Sequence, residues 1–248
     1  MDSTNLLLPS YLQSLGYAEI KSIRELAARA VSASAEVVQH DTVWSQWRGI
    51  LDYISCVEYA RNSIKALPAC RAIGSVDVVP ARYHSASLVF FAQATLDNVA
   101  VWTHCHLKLN IKGGDCAFHK AKFLQSLSAR TAPVAKAAED HMAFIGKLEN
   151  FRKEWIHRLA GGAQIFSDKV PSEPNARIQI MVPINPSIGQ YSQGTTAYLK
   201  AIARSRTNNG GRWLYPVGEF ADEMANGLKA FLVSYLEAAL VEPLFQAA

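Results

Sequence analysis

Apolar residues recur every three to four positions along most of the chain, which is the spacing of helices packed around a shared core. The clearest stripes lie in residues 18–33, 43–67, 85–109 and 220–240, and each predicts a helix. Residues 69–82, which contain glycine and proline, predict a loop between the second and third of these helices. The pattern therefore predicts a mainly α-helical bundle.

The middle of the chain adds two further predicted helices. Asp115 is placed to cap a short one, because an aspartate side chain accepts bonds from the first free backbone N–H groups. Pro133 fits the first turn of the next one, where its missing N–H costs nothing. The apolar face of that helix continues to Leu159, and the helix is expected to stop at Gly161 and Gly162.

Beyond these glycines the spacing of apolar residues changes from helical to alternating. Residues 164–166 and 177–182 alternate apolar with polar side chains and read as two short strands. The residues between them are rich in proline, serine and asparagine, which is turn chemistry. We expect a small β-hairpin insertion at about 163–183, after the helix that ends near Leu159.

The predicted elements suggest two parts of unequal size. Residues 1–38 are expected to form an N-terminal helical extension, and residues 39–248 the main helical domain that carries the hairpin. Half of the 248 residues are hydrophobic and 19% are charged, a balance typical of globular proteins and not of disordered ones.

The overall charge is mildly positive, at +4 with a pI near 8.8. This permits an acidic partner such as RNA without demanding one. The N-terminus has an acidic start and no basic run, and the densest apolar stretch, residues 88–92, is far shorter than a membrane span. The four cysteines form no CxxC pair and are expected to be free thiols. We therefore expect a cytoplasmic protein that does not contact a membrane.

One segment carries suggestive chemistry, near the end of the helix that begins at Pro133. It reads Phe-Arg-Lys-Glu-Trp-Ile-His-Arg over residues 151–158 and places Arg152 five residues before His157. Arginine stays charged, and its planar fork matches phosphate oxygens. Histidine titrates near neutrality and can take the proton of an RNA 2′-hydroxyl. An arginine and a histidine are thus a minimal pair for cutting RNA without a metal.

This motif, on a helix within a bundle, resembles the HEPN superfamily, whose members carry an Arg-x4–6-His motif. The resemblance covers roughly residues 40–241 in architecture and residues 150–158 in motif. It implies an endoribonuclease that needs no cofactor, in which Arg152 binds the phosphate and His157 acts as base or acid. It also implies a homodimer whose two motifs line one cleft, a toxin or phage-defence role, and a cognate antitoxin or other partner protein.

The sequence departs from that family pattern after the arginine. Active members commonly have a small polar residue there, whereas this chain has Lys153. Lysine favours phosphate binding, but it equally fits a non-catalytic HEPN-like module that binds a partner protein or a nucleotide. The residues expected to assist in substrate binding are Asn150, Lys153, Glu154 and Arg158.

A straight helix would separate the two motif residues. Five positions turn the helix by about 500°, so the two side chains would diverge by about 140°. Only a distorted helix end or a second subunit would reunite Arg152 and His157. A purely structural reading is also open, because basic residues at a helix C-terminus complement the helix dipole.

A second group of residues has the chemistry of a zinc site. Four of its members could surround the metal if the chain turned back at the glycines after residue 112. Adjacent residues on one helix cannot easily face the same ion, so buried thiols and helix-end histidines remain the alternative. The group consists of His104, Cys105, His106, Cys116 and His119.

A basic loop near residue 208 suggests contacts with single-stranded RNA. Cations beside aromatic rings suit phosphate contacts and base stacking. The alternative is a solvated loop after a helix with a basic end. The residues concerned are Lys200, Arg204, Arg206 and Arg212, next to Trp213 and Tyr215.

Overall fold

The computed structural model describes residues 17–34, 40–67, 79–157, 164–167, 178–184 and 213–246. Over these residues the protein is mainly α-helical, as the spacing of apolar positions predicts. The helices are α1 (Tyr17–Ser34), α2 (His40–Lys65), α3 (Val79–Leu107), α4 (Ala121–Arg130), α5 (Ala132–Glu139), α6 (Met142–His157), α7 (Val217–Val241) and α8 (Pro243–Gln246). A single 3₁₀ turn at Gly113–Asp115 stands between α3 and α4.

Helix α7 lies at the centre of the bundle and contacts α1, α2, α3, α5 and α6. Its buried side chains recur at helical spacing and join one hydrophobic cluster with those of the other helices. By length and composition alone α7 could cross a membrane, yet half of that stretch is buried inside the bundle. Its apolar character is therefore accounted for by its central position.

Helices α2 and α3 form the most extensive helix pair. Trp47 of α2 meets Trp102 of α3 edge to face, with ring centroids 5.1 Å apart, and both rings are fully buried. Large aromatic side chains of this kind dominate the burial energy of a core. They fix α3 against the rest of the bundle, and α3 carries part of the candidate site.

Helix α1 shares the core of the other helices. Ile23, Ala27, Ala30 and Val31 are buried in the same hydrophobic cluster, and the helix packs on α7. The division of the chain at residue 38 stays a prediction.

Two predicted boundaries were wrong. Helix α3 begins at Val79 and not near residue 85, because Pro80 sits in its first turn, where a missing N–H breaks no helical bond. Asp115 does not cap α4, which begins after Lys120 without a side-chain cap. Instead the Asp115 carboxylate pairs with Lys122 at 3.2 Å.

The long helix predicted from Pro133 to Leu159 is two helices, α5 and α6. They are separated by a turn at Asp140 and His141, in which the His141 N–H donates to the Ala138 carbonyl at 3.2 Å. Helix α5 packs on α4 and α7, whereas α6 packs on α3 and α7. The turn lets each segment follow its own neighbours, so tertiary packing ends a helix that the apolar stripe would continue.

Three strands follow α6: β1 (Gln164–Ser167), β2 (Ile178–Ile184) and β3 (Trp213–Pro216). They pair antiparallel in the order β1-β2-β3, with Phe166 opposite Gln179 and Val182 opposite Tyr215. Strand β3 was not predicted. The hairpin insertion at about 163–183 stays a prediction, because residues 168–177 lie outside the described residues.

Candidate functional site

Arg152 of α6 is held by a carboxylate one turn earlier on the same helix. Its Nε donates to Glu149 Oε2 at 2.8 Å and its Nη2 donates to Glu149 Oε1 at 2.9 Å. The Glu149 side chain is 5% exposed and that of Arg152 is 32% exposed. Two parallel bonds of this kind fix the plane of the guanidinium as well as its position.

Two contacts anchor the helix that carries this pair to α7. Phe151 is fully buried and meets Phe220 of α7 edge to face, with centroids 5.0 Å apart. The buried ammonium of Lys147 pairs with Glu223 of α7, and burial lowers the pKa of that lysine to about 8. The backbone beneath Arg152 is therefore fixed by core contacts.

Both members of the Arg152–Glu149 pair are charged at neutral pH. Burial alone would raise the pKa of the Glu149 carboxyl, but the bond from Arg152 and the positive charges of Arg152 and of His119, which is protonated at the acidic pH where a carboxyl titrates, outweigh it and hold the pKa below its ordinary value. The bond to Glu149 raises the pKa of Arg152 in turn. Each charge thus stabilises the other.

Two more basic side chains lie close to the Glu149 carboxylate. Lys153 Nζ lies 3.2 Å and His119 Nε2 lies 3.8 Å from Oε1, the oxygen that also accepts the Nη2 bond from Arg152. His119 comes from the turn before α4, so a segment distant in sequence enters the site. Three basic side chains therefore lie within 4 Å of one oxygen, Glu149 Oε1.

Helix α3 contributes a second carboxylate. Burial raises the pKa of Asp97, opposed by the bond from Gln93 and by the charges of Arg152 and His119. The Gln93 amide donates to Asp97 Oδ1 at 2.9 Å. We call Gln93, Asp97, His119, Glu149, Arg152 and Lys153 the polar cluster.

His119 is the one imidazole of this cluster. Its side chain is 19% exposed, and its Nδ1 is buried without a hydrogen-bond partner among the described residues. Burial lowers the pKa of the ring, although the Glu149 carboxylate opposes that shift. At neutral pH the ring is therefore mostly uncharged and able to accept a proton.

The expected site residues divide into three groups. Arg152 and Lys153 meet at Glu149, and Asn150, the next residue after Glu149 on α6, is partly buried. Glu154 and His157 belong to α6, but their side chains, like the whole of Arg158, lie outside the described residues. The structure thus joins two of the six residues around one carboxylate.

The backbone of α6 determines how the two positions of the Arg-x4-His motif are oriented relative to each other. Helix α6 continues as an α-helix through His157. Positions 152 and 157 of a regular helix point about 140° apart. Within one chain the two positions lie on different sides of α6.

Sequence reasoning missed Glu149, Asp97 and Gln93. A signal for the first was present, because Glu149 stands three residues before Arg152 and four before Lys153, the spacings at which side chains meet on a helix. The contribution of Asp97 could not be read this way, since it comes from another helix.

The zinc-site residues do not gather around one point. Among the described residues, no three His, Cys, Asp or Glu side chains are placed to hold a metal ion. His106 is buried and stacks on Phe245 at 4.6 Å, whereas Cys105 is exposed. Burial raises the pKa of Cys116 to about 11, which keeps it a neutral thiol at pH 7.

The predicted basic loop is the last of the candidate sites. Lys200, Arg204, Arg206 and Arg212 lie outside the described residues. Trp213 and Tyr215 belong to β3, but their side chains are likewise outside that part of the chain. Its contact with RNA stays a prediction.

Comparison with known proteins finds no matching family model, no matching characterised protein and no matching solved structure. The likeness to HEPN proteins therefore depends on the motif and on the helical architecture alone. The polar cluster is therefore the feature from which a function is proposed.

Proposed function

We propose that this protein is a metal-independent endoribonuclease of HEPN type that acts as a homodimer. The observation that carries the proposal is the state of Arg152, which is rigidly held, permanently charged and 32% exposed. A toxin or phage-defence role, a cytoplasmic location and a cognate antitoxin or other partner protein belong to the proposal through the family resemblance.

The guanidinium of Arg152 is suited to a second anion. Glu149 occupies the edge formed by Nε and Nη2. The other side of the guanidinium includes Nη1, which donates no hydrogen bond to a described residue. A phosphate can accept two bonds from such an edge, and the held arginine loses little freedom on binding it. Lys153, which is exposed and close to the same carboxylate, adds positive charge beside it.

A dimer is needed if His157 is the catalytic histidine. Because positions 152 and 157 diverge along α6, the imidazole that serves one Arg152 would come from the partner subunit. The family resemblance supplies the same arrangement, with two motifs lining one cleft. Asn150, Glu154 and Arg158 would flank the RNA in that cleft.

A second function has one specific observation in its favour. The bidentate bond from Arg152 to Glu149 already satisfies half of the guanidinium, as in a purely structural ion pair. A non-catalytic HEPN-like module that binds a nucleotide or a partner protein would tolerate this pairing. Lys153, which replaces the small polar residue of active members, fits that alternative too.

The test is cleavage of single-stranded RNA in the presence of EDTA by the wild type, Arg152→Ala and Arg152→Lys. Loss of a donor that stabilises transition-state charge costs about 100-fold or more in rate, and lysine should rescue little because it lacks the fork. Arg130→Ala, on the exposed end of α4, is the matched control.

The outcomes separate the two functions. Cleavage that disappears in Arg152→Ala but not in Arg130→Ala supports the nuclease. Nucleotide binding without cleavage, lost in Arg152→Ala, supports the binding module. If Arg152→Ala cleaves RNA as fast as the wild type, Arg152 has no part in the mechanism and the proposal is refuted.

A further inference from the structure

We infer that His119 is the histidine that works with Arg152 on a bound RNA phosphodiester, within a single chain. The inference rests on the proposed nuclease function and assigns its proton transfer to a residue outside the Arg-x4-His motif. It starts from the one oxygen, Glu149 Oε1, that both basic groups approach.

The distances bring the arginine fork and the imidazole to one place. Arg152 Nη2 is 2.9 Å and His119 Nε2 is 3.8 Å from Glu149 Oε1. Two nitrogens so close to a common atom lie within reach of a single phosphate group with its neighbouring hydroxyl. On a regular helix the position of His157 lies about 140° around the axis from that of Arg152.

The backbone of His119 is fixed by its neighbour. Phe118 is 2% exposed and packs edge to face on Phe231 and Tyr235, with centroids 4.9 Å and 5.1 Å away. The Lys120 N–H closes the turn by donating to the Ala117 carbonyl at 2.9 Å. A catalytic group is effective when it is held in place before the substrate binds, and the core holds this one.

The ring of His119 is incompletely satisfied, a state that it shares with His104 and other buried polar groups of the described residues. Its Nδ1 is buried without a hydrogen-bond partner among the described residues, and leaving such a group unpaired costs folding free energy. Nε2, the nitrogen that faces the polar cluster, can accept a proton from a substrate hydroxyl. The imidazolium that forms would be stabilised by the charge of the Glu149 carboxylate, whose Oε1 lies 3.8 Å from the same nitrogen.

The proposed cleavage of the RNA phosphodiester is a transphosphorylation. Nε2 of His119 takes the proton of the RNA 2′-hydroxyl, and the 2′ oxygen forms a bond to phosphorus. The bond from phosphorus to the 5′ oxygen breaks, and that oxygen takes a proton from water. Arg152 stabilises the charge on the non-bridging oxygens. The products are a 2′,3′-cyclic phosphate and a 5′-hydroxyl end.

The first experiment compares RNA cleavage by His119→Gln, His157→Ala and the control His84→Gln, all in EDTA. His84 is partly buried at the far end of α3 and packs against Tyr59 and Tyr83. His119→Gln should lower kcat by about 100-fold or more with little change in KM, and should remove the acid limb of the pH–rate profile. His84→Gln should change neither, and equal urea midpoints would show that the variants fold.

Wild-type kcat and an unchanged pH profile in His119→Gln would overturn the inference while leaving the nuclease in place. Loss of cleavage in His157→Ala alone would return the proton transfer to the motif. A wild type that cleaves no RNA would refute the nuclease, and with it this proton transfer.

A second measurement does not depend on turnover. Inorganic phosphate should shift the NMR signal of the His119 Cε1–H in a saturable way, and this shift should be lost in Arg152→Ala. Absence of the shift in the wild type would show that the two side chains do not share an anion, and would overturn the inference whatever the cleavage assay gives.

Discussion

Replacing Glu149 by glutamine tests whether the polar cluster depends on one buried charge. The change keeps the shape of the side chain but removes the negative charge. It also leaves one oxygen, instead of two, to accept bonds from Arg152. The clamp of two charge-assisted bonds, 2.8 Å and 2.9 Å long, becomes at best one bond to a neutral oxygen.

The cost follows from the burial of the two partners. Breaking a fully buried ion pair costs about 3–5 kcal/mol, because the remaining charge is stranded. Arg152 is 32% exposed and can regain water, so the loss is smaller. We expect Glu149→Gln to lower the free energy of unfolding by about 1–2 kcal/mol at pH 7.

The pH dependence gives a sharper signature. Arg152 holds the pKa of Glu149 in the folded protein below its ordinary value of 4.5. A carboxyl whose pKa is depressed on folding stabilises the protein above the unfolded pKa, and loses that effect as the pH falls through the folded pKa. The difference between wild type and Glu149→Gln should therefore be full at pH 7 and shrink below about pH 4.5.

The assay is urea unfolding followed by circular dichroism at pH 7, 5, 4 and 3, with Glu139→Gln as the matched control. Glu139 is an exposed residue on α5, so its variant should stay within about 0.5 kcal/mol of wild type. A Glu149→Gln deficit that is absent at pH 7, or that stays constant down to pH 3, would refute the electrostatic reasoning.

Two further predictions concern the core. The Thr103 hydroxyl donates to the Val99 carbonyl at 2.9 Å, so the buried Tyr235 phenol is the donor in its 2.8 Å bond to Thr103 Oγ1. Tyr235→Phe should therefore lower the free energy of unfolding by about 1 kcal/mol, measured by urea unfolding. Thr103→Val should lower it more, because it leaves that phenol without an acceptor, and equal losses would contradict this. Gly227→Ala should lower the melting temperature, because its methyl group would lie 2.4 Å from the Phe144 ring. Gly49→Ala, whose methyl group would meet open space, should raise the free energy of unfolding by up to about 1 kcal/mol. A gain in both variants would show that the α6–α7 contact is looser than described.

The candidate site was only partly readable from the sequence. The spacing of Glu149, Arg152 and Lys153 follows from the helix period, and a carboxylate on the same stripe as Ile145 and Leu148 marks a charge within a buried face. The sequence does not show that burial strengthens the pairing of Glu149 with Arg152, because that burial depends on which segments cover α6. His119 was noticed only as a candidate metal ligand.

The sequence by itself determined the helical class, because the period of apolar residues is a local property that any core must satisfy. It also placed Arg152 and His157 on one helix. Only the tertiary structure decided that α5 and α6 part at Asp140, because the two segments follow different neighbours.

Tertiary packing also decided the composition of the polar cluster. Asp97, His119 and Glu149 come from α3, from the turn before α4 and from α6, and no spacing in the sequence relates them. Their charges interact because α3 and α6 pack together and Phe118 is buried in the core. Contacts between distant segments are set by how apolar faces fit, and no single stretch of sequence contains that information.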